Sequence, residues 1–116
     1  MTENYKDYKE ITKNIAEYMG HLRKMAPDAM AGFSALAKGA TQDGALDKKT
    51  KELIALALGV GVRCDGCIGF HTKALVDLGA TREEIAETMA MAVYMGGGPS
   101  LMYAADALRA YDQHKA

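Results

Sequence analysis

The stretch from Glu52 to His71, ELIALALGVGVRCDGCIGFH, constrains the fold of this chain more than any other, because glycines interrupt its apolar run. Leu53 to Leu58 is apolar on every side, the pattern of a buried helix. Gly59 and Gly61 are poor residues inside a helix and good ones at its end. A chain that reverses at the Gly61–Val62 bond becomes an antiparallel helical hairpin. Glu52 lies nine residues before Gly61 and His71 nine after Val62, so the two would stand at the same height on facing helices. On one continuous straight helix, Glu52 would instead sit roughly 18 Å from Cys64.

Both cysteines of the chain follow the turn, as Cys64-Asp65-Gly66-Cys67, and His71 comes four residues later. At helical pitch, Cys64 and Cys67 lie about 60° apart around the axis and Cys67 and His71 about 40° apart, so the three share one stripe. A thiol near a helix N-terminus has its pKa lowered by the dipole and the unpaired amides. Arg63 acts in the same direction and Asp65 against it. Cys64 stands at the edge of that helix and Cys67 in its first turn, so either could be the reactive thiolate. His71, at i+4 from Cys67, is placed to take its proton. Cys64 is then the resolving partner, and the i,i+3 spacing brings the pair near bridging range for a reversible disulfide. Glu52 borders the apolar run, where a free carboxylate is costly unless paired. Its plainer role is a solvated first-turn residue that complements the dipole of its own helix.

Two cysteines spaced C-x-x-C in a reducing compartment point to redox or metal work rather than a structural staple. Zinc held by Cys64, Cys67, His71 and Glu52 is the chemical rival. Structural zinc sites usually take their second ligand pair from a separate knuckle, and this sequence has none. The expected site is therefore Cys64, Cys67, His71 and Glu52 as catalytic groups, with no metal and no cofactor. His21 and His114 lie among charged residues and read as surface side chains. Gly96-Gly97-Gly98 lacks the Lys-Ser/Thr tail of a phosphate loop and follows a helical pattern. Met89, Met91, Met95 and Met102 read as soft packing or interface surface.

With 14 Lys plus Arg against 15 Asp plus Glu, the net charge of −1 offers no electrostatic case for nucleic acid or a membrane surface. No apolar stretch approaches the roughly 18 residues of a membrane span. The polar start MTENYKDYKE is unlike a signal peptide, and a cytoplasmic location is expected.

The remaining segments read as helices. Thr2 is a candidate cap for a first helix to about Met25, with Tyr8, Ile11, Ile15, Tyr18 or Met19, Leu22 and Met25 at helical spacing. Pro27 suits the first turn of a second helix to about Lys38, with Met30, Phe33, Leu36 and Ala37 inward. Gly39 to Leu46 is a turn-rich connection, with Gly44 the expected positive-φ residue. Asp47 caps the third helix, and a fourth runs from about Asp65 to Leu78 with Gly79 at its C-cap. Thr81-x-x-Glu84 is a capping box for a fifth helix carrying Ile85, Met89, Val93 and Met95. Pro99 opens a sixth to about Gln113. No segment alternates at period two for long enough to make a strand. The predicted fold is an all-α, single-domain bundle of about six helices over residues 1–116. Its N-terminal helices span 1–40, its core spans 47–113, and the redox motif lies on the antiparallel hairpin.

The spacing of Glu52, eleven intervening residues, Cys64-x-x-Cys67, three more and His71 resembles the motif of the alkylhydroperoxidase D-like group of the carboxymuconolactone decarboxylase-like superfamily. The resemblance runs from about Asp47 to Ala105, through GATREEIAE and YMGGGPSLMYA. It implies an all-α fold and assembly as a homotrimer or homohexamer. It also implies a proton relay in which glutamate, histidine and a bridging water serve a cysteine, so that the cysteine pair reduces hydroperoxides. The implied partners are a small hydroperoxide and a dithiol reductant. Gly66 stands where the best-known members carry an additional histidine. Decarboxylases of the superfamily lack the cysteine pair, so its presence argues against a lactone lyase. A non-enzymatic redox-sensing or metal-binding oligomer is the alternative from another class.

Overall fold

A computed structural model describes residues 5–116, and among them six helices follow one another without a strand. They are α1 (Tyr8–Met25), α2 (Pro27–Ala40), α3 (Lys48–Gly61), α4 (Asp65–Asp77), α5 (Arg82–Gly96) and α6 (Gly98–Lys115). The expected cap Thr2 lies outside the described residues. The observed cap of α1 is Asp7, whose carboxylate accepts the amides of Lys9 and Glu10. Asp47 caps α3 through the Thr50 amide, and Thr81 and Glu84 form both bonds of the capping box on α5.

Helices α3 to α6 form the packed body. Leu56 and Val60 of α3, Ile68 and Leu75 of α4, Ile85 and Met89 of α5 and Tyr111 of α6 are buried together. On α6 the buried positions Ala104, Ala107 and Ala110 are small, which lets α4 and α5 approach its backbone closely. Two hydroxyls inside this core have carbonyl partners: Thr72 donates to Ile68 at 2.6 Å and Tyr111 to Ala80 at 2.7 Å. The first half of α1 lies across α4 and α6, with Tyr8 and Thr12 buried.

Several expectations need correction. Helix α2 packs against α1 alone and buries no residue, so Phe33 (66% exposed) and Leu36 (67% exposed) do not face inward within the chain. The second half of the α1 stripe, from Tyr18 to Met25, is also exposed. The run Leu53–Leu58 is buried on one side only, because α4 and α5 cover part of α3 and leave Ile54 and Leu58 open. Apolar hollows of about 420 and 450 Å³ lie on that open side, both lined by Leu58 and by Met91 of α5. Gly44 has an ordinary φ, since the described glycines with positive φ are Gly79 and Gly97. The α2–α3 connection turns instead on side-chain chemistry, with the Asp43 carboxylate accepting the Lys48 amide at 2.7 Å.

Candidate active site

The reversal between α3 and α4 sets the position of the first cysteine. At the end of α3 the Cys64 amide donates to the Gly59 carbonyl at 2.9 Å and the Arg63 amide to that of Val60 at 3.1 Å. This pair of bonds is a Schellman ending, in which one residue must adopt the left-handed conformation. That residue is Arg63, at φ 60°, rather than Gly61. The end of α4 closes in the same way around Gly79, as expected, at φ 79°. Cys64 thus closes α3 and caps α4 at once: its sulfur accepts the Cys67 amide at 3.1 Å.

Cys64 and Cys67 are joined as a disulfide across this first turn, with their Cα atoms 5.2 Å apart, and both side chains remain partly exposed. The hairpin closes tightly behind them. A Cβ at Gly59 would lie 2.8 Å from the Cys67 Cβ, so α3 approaches the Cys64–Cys67 turn closely only because residue 59 has no side chain. Farther along, Glu52 of α3 and His71 of α4 meet as the register argument requires, with Oε1 and Nδ1 2.6 Å apart. Glu52 is 5% exposed, whereas about a third of the His71 side chain is open to solvent. A carboxylate this deeply placed needs such a partner. Because a carboxylate can only accept, Nδ1 is the donor and Nε2 is left free to act as a base or to hold a water.

Helix α1 covers the other side of the motif. A Cβ at Gly66 would come within 3.0 Å of Ile15 Cδ1, so α1 fills space that an additional histidine at this position would need. At Gly69 a Cβ would collide with the Thr12 methyl, and α1 seats closely there as well. Asp65, between the cysteines, accepts from Lys6 Nζ and from the Tyr8 hydroxyl, each at 2.9 Å. Sequence reasoning identified Asp65 but neither partner, because both lie more than fifty residues away and no spacing rule connects them.

Of the two histidines read as surface residues, His21 is exposed and stacks on Tyr18. His114 is not a free surface group: it is partly buried, and its Nε2 donates to the Gly69 carbonyl at 3.0 Å. Burial, opposed by that bond, holds its pKa below the ordinary imidazole value. Among the described residues, no group of three or more His, Cys, Asp or Glu side chains is arranged to hold a metal ion. None of the described helices is long and apolar enough to cross a membrane.

A six-helix all-α body with a Cys-x-x-Cys turn beside a buried glutamate paired to a partly exposed histidine defines a class. The chain belongs to the carboxymuconolactone decarboxylase family, whose model matches residues 27–110. It is similar to a protein of that family from Legionella pneumophila, with 60% identity and a TM-score of 0.92 over 94% of this chain and 97% of the other. A Thermotoga maritima member, suggested to take part in an antioxidative response, is 33% identical with a TM-score of 0.68 over 73% of this chain and 88% of its own. An uncharacterized protein of Cupriavidus necator is 45% identical over 91% of this chain and 94% of its own length.

Proposed function

We propose that the chain is a dithiol peroxidase-like oxidoreductase, and the 2.6 Å Glu52–His71 bond one helical turn beyond Cys67 is the observation that carries this reading. In the reduced form, His71 Nε2 takes the Cys67 proton, directly or through a water, while Glu52 holds the ring by its Nδ1–H. The thiolate attacks the terminal oxygen of a hydroperoxide. An S–O bond forms, the O–O bond breaks, and the departing alkoxide takes the proton from His71 to leave as the alcohol. Cys67 is then a sulfenic acid, which the Cys64 thiol attacks, releasing water and forming the disulfide. An external dithiol restores both thiols by exchange and is itself oxidised to its disulfide. The antioxidative part suggested for the Thermotoga maritima relative supports this assignment.

The same reading includes a homotrimer or homohexamer located in the cytoplasm. The apolar surface left open on α1, α2, α3 and α5 supports assembly, since contiguous patches of this kind mark interfaces.

Steady-state oxidation of a dithiol by hydrogen peroxide and by an organic hydroperoxide tests the function. Turnover is expected from the unaltered protein, with Cys67→Ser and Cys64→Ser each reduced to background. A disulfide that forms and reduces without turnover would make the chain a non-enzymatic redox element. Lactone decarboxylation that survives loss of both cysteines would make it a lyase.

A further inference from the structure

Asp65 is the first residue of α4 and stands between the two cysteines, where an uncompensated carboxylate disfavours a thiolate on either side. The structure does not leave it uncompensated. Its Oδ1 holds Lys6 Nζ and the Tyr8 hydroxyl, and the Lys6 ammonium also reaches Asp106 of α6 at 3.0 Å. The same ammonium lies 4.7 Å from the centroid of the Tyr103 ring. One side chain fastens the backbone around it: Gln113 accepts the Tyr8 amide at 2.8 Å and donates to the Lys6 carbonyl at 2.9 Å. Residues 6 to 8 therefore form a strap between the last turns of α6 and the first turn of the redox helix. Tyr8 is fully buried, and burial together with the Asp65 bond pushes its phenol pKa far up, so it remains a donor.

We propose that Lys6 is a positioning residue for the dithiol: held by the strap, it neutralises Asp65, so that the thiols meet the helix N-terminus without an opposing negative charge. This rests on the reading that Cys64 and Cys67 cycle through a reduced state. The titratable and charged groups around this end of α4 are Lys6 and Tyr8, Tyr103, Asp106 and Arg109 of α6, Glu52 of α3, Arg63 of the turn, and Asp65 and His71 of α4 itself; Asp106 shares the Lys6 ammonium and also lies 3.8 Å from Arg109. Lys6 and Tyr8 are the two whose side chains bond to Asp65. Because the Lys6 and Asp65 side chains are each somewhat more than a third exposed, the ion pair is screened and its effect is moderate and salt-dependent.

The test is the pH dependence of iodoacetamide alkylation of the reduced protein, at low and at high salt. Lys6→Met is expected to raise the thiol pKa and to slow alkylation below that pKa by about three- to tenfold, with a smaller loss at high salt. Lys6→Arg should restore the profile. Asp65→Asn alone should move the titration to lower pH, since the negative charge between the cysteines is removed while Lys6 stays in place on Asp106. The double variant should regain the rate that Lys6→Met loses. If Lys6 merely holds the strap in place, the double variant keeps the deficit and salt does not change it. That result, or a Lys6→Met profile that overlays the unaltered protein, overturns the proposal. An Asp65→Asn titration shifted to higher pH does so too, even where Lys6→Met folds poorly. Alkylation needs neither peroxide nor turnover, so a failed peroxidase assay would sink the proposed function and leave this result to stand separately.

Discussion

The α3–α4 hairpin and the arm made by the second half of α1 with α2 are built from similar material but sit in different surroundings. Both carry apolar side chains at helical spacing, and Pro27 and Asp47 each open a helix where a sequence rule places one. In the hairpin, Leu56, Val60 and Ile68 have no exposed surface. In the arm, Tyr18, Leu22, Met25, Phe33 and Leu36 all face solvent, and α2 touches no helix except α1. Helical period therefore tells which residues share a face, and it does not tell whether the facing surface belongs to the same chain. The inner face of the hairpin is covered by α5 and α6 of the same chain, and the apolar face of the arm is covered by nothing in it.

The largest expected effect falls on the hairpin. Glu52→Gln keeps size and hydrogen-bonding capacity but no longer fixes Nδ1 as the donor, because an amide can donate as well as accept. Turnover is expected to fall about 10²–10⁴-fold, the usual range for a lost acid–base contribution. His71→Ala should lose a similar factor, and the double variant little more than either, since the two act as a unit. Unchanged turnover and alkylation in Glu52→Gln would reduce Glu52 to a buried charge that its histidine merely satisfies.

A second effect belongs to the arm and should leave the hairpin untouched. Phe33→Glu combined with Leu36→Glu places two charges on a face that is already open in the single chain. Helical content should persist while the proposed oligomer, measured by light scattering, falls to 12.5 kDa monomers. If these variants remain oligomeric, the arm is not the contact between copies and the comparison loses its arm side.

The difference in surroundings also decides what could be read from the sequence. The hairpin was legible because its information is local: glycines mark the reversal, and equal distances from it bring Glu52 to His71. The turn itself was legible only in part. The left-handed conformation falls on Arg63 rather than on a glycine, at a local cost of roughly 1–2 kcal/mol. Two neighbouring glycines point to the reversal, and neither of them bears the left-handed conformation that makes it. Gly59 is needed for a different reason, the closeness of Cys67, which propensity cannot reveal. The exposure of Phe33 and Leu36 was illegible because their spacing is that of any packed helix. Lys6 was illegible because an ordinary lysine in a polar segment meets Asp65 only after α1, α4 and α6 have packed.

The smallest effect, and the cleanest contrast between the two regions, comes from one substitution made in each. Gly59 and Gly20 both lie inside helices, where replacing glycine by alanine normally stabilises by up to about 1 kcal/mol through lost freedom of the unfolded chain. At Gly20 a Cβ meets nothing within 4 Å, so Gly20→Ala should gain that amount. At Gly59 the new Cβ would lie 2.8 Å from the Cβ of Cys67, an atom fixed to the backbone that cannot swing aside. Helix α3 must then back away from α4, and overpacking of this kind costs about 1–3 kcal/mol. Gly59→Ala should therefore lower the denaturation midpoint while Gly20→Ala raises it. The displacement at residue 59 also falls directly on Cys67, one half of the disulfide, in the hairpin that carries the Glu52–His71 pair. Gly59→Ala should accordingly slow alkylation of Cys67 even at temperatures where the variant is fully folded, and Gly20→Ala should not. Equal and positive shifts in both variants would mean that the hairpin has slack at Cys67, and that its close packing does not hold the thiol in place.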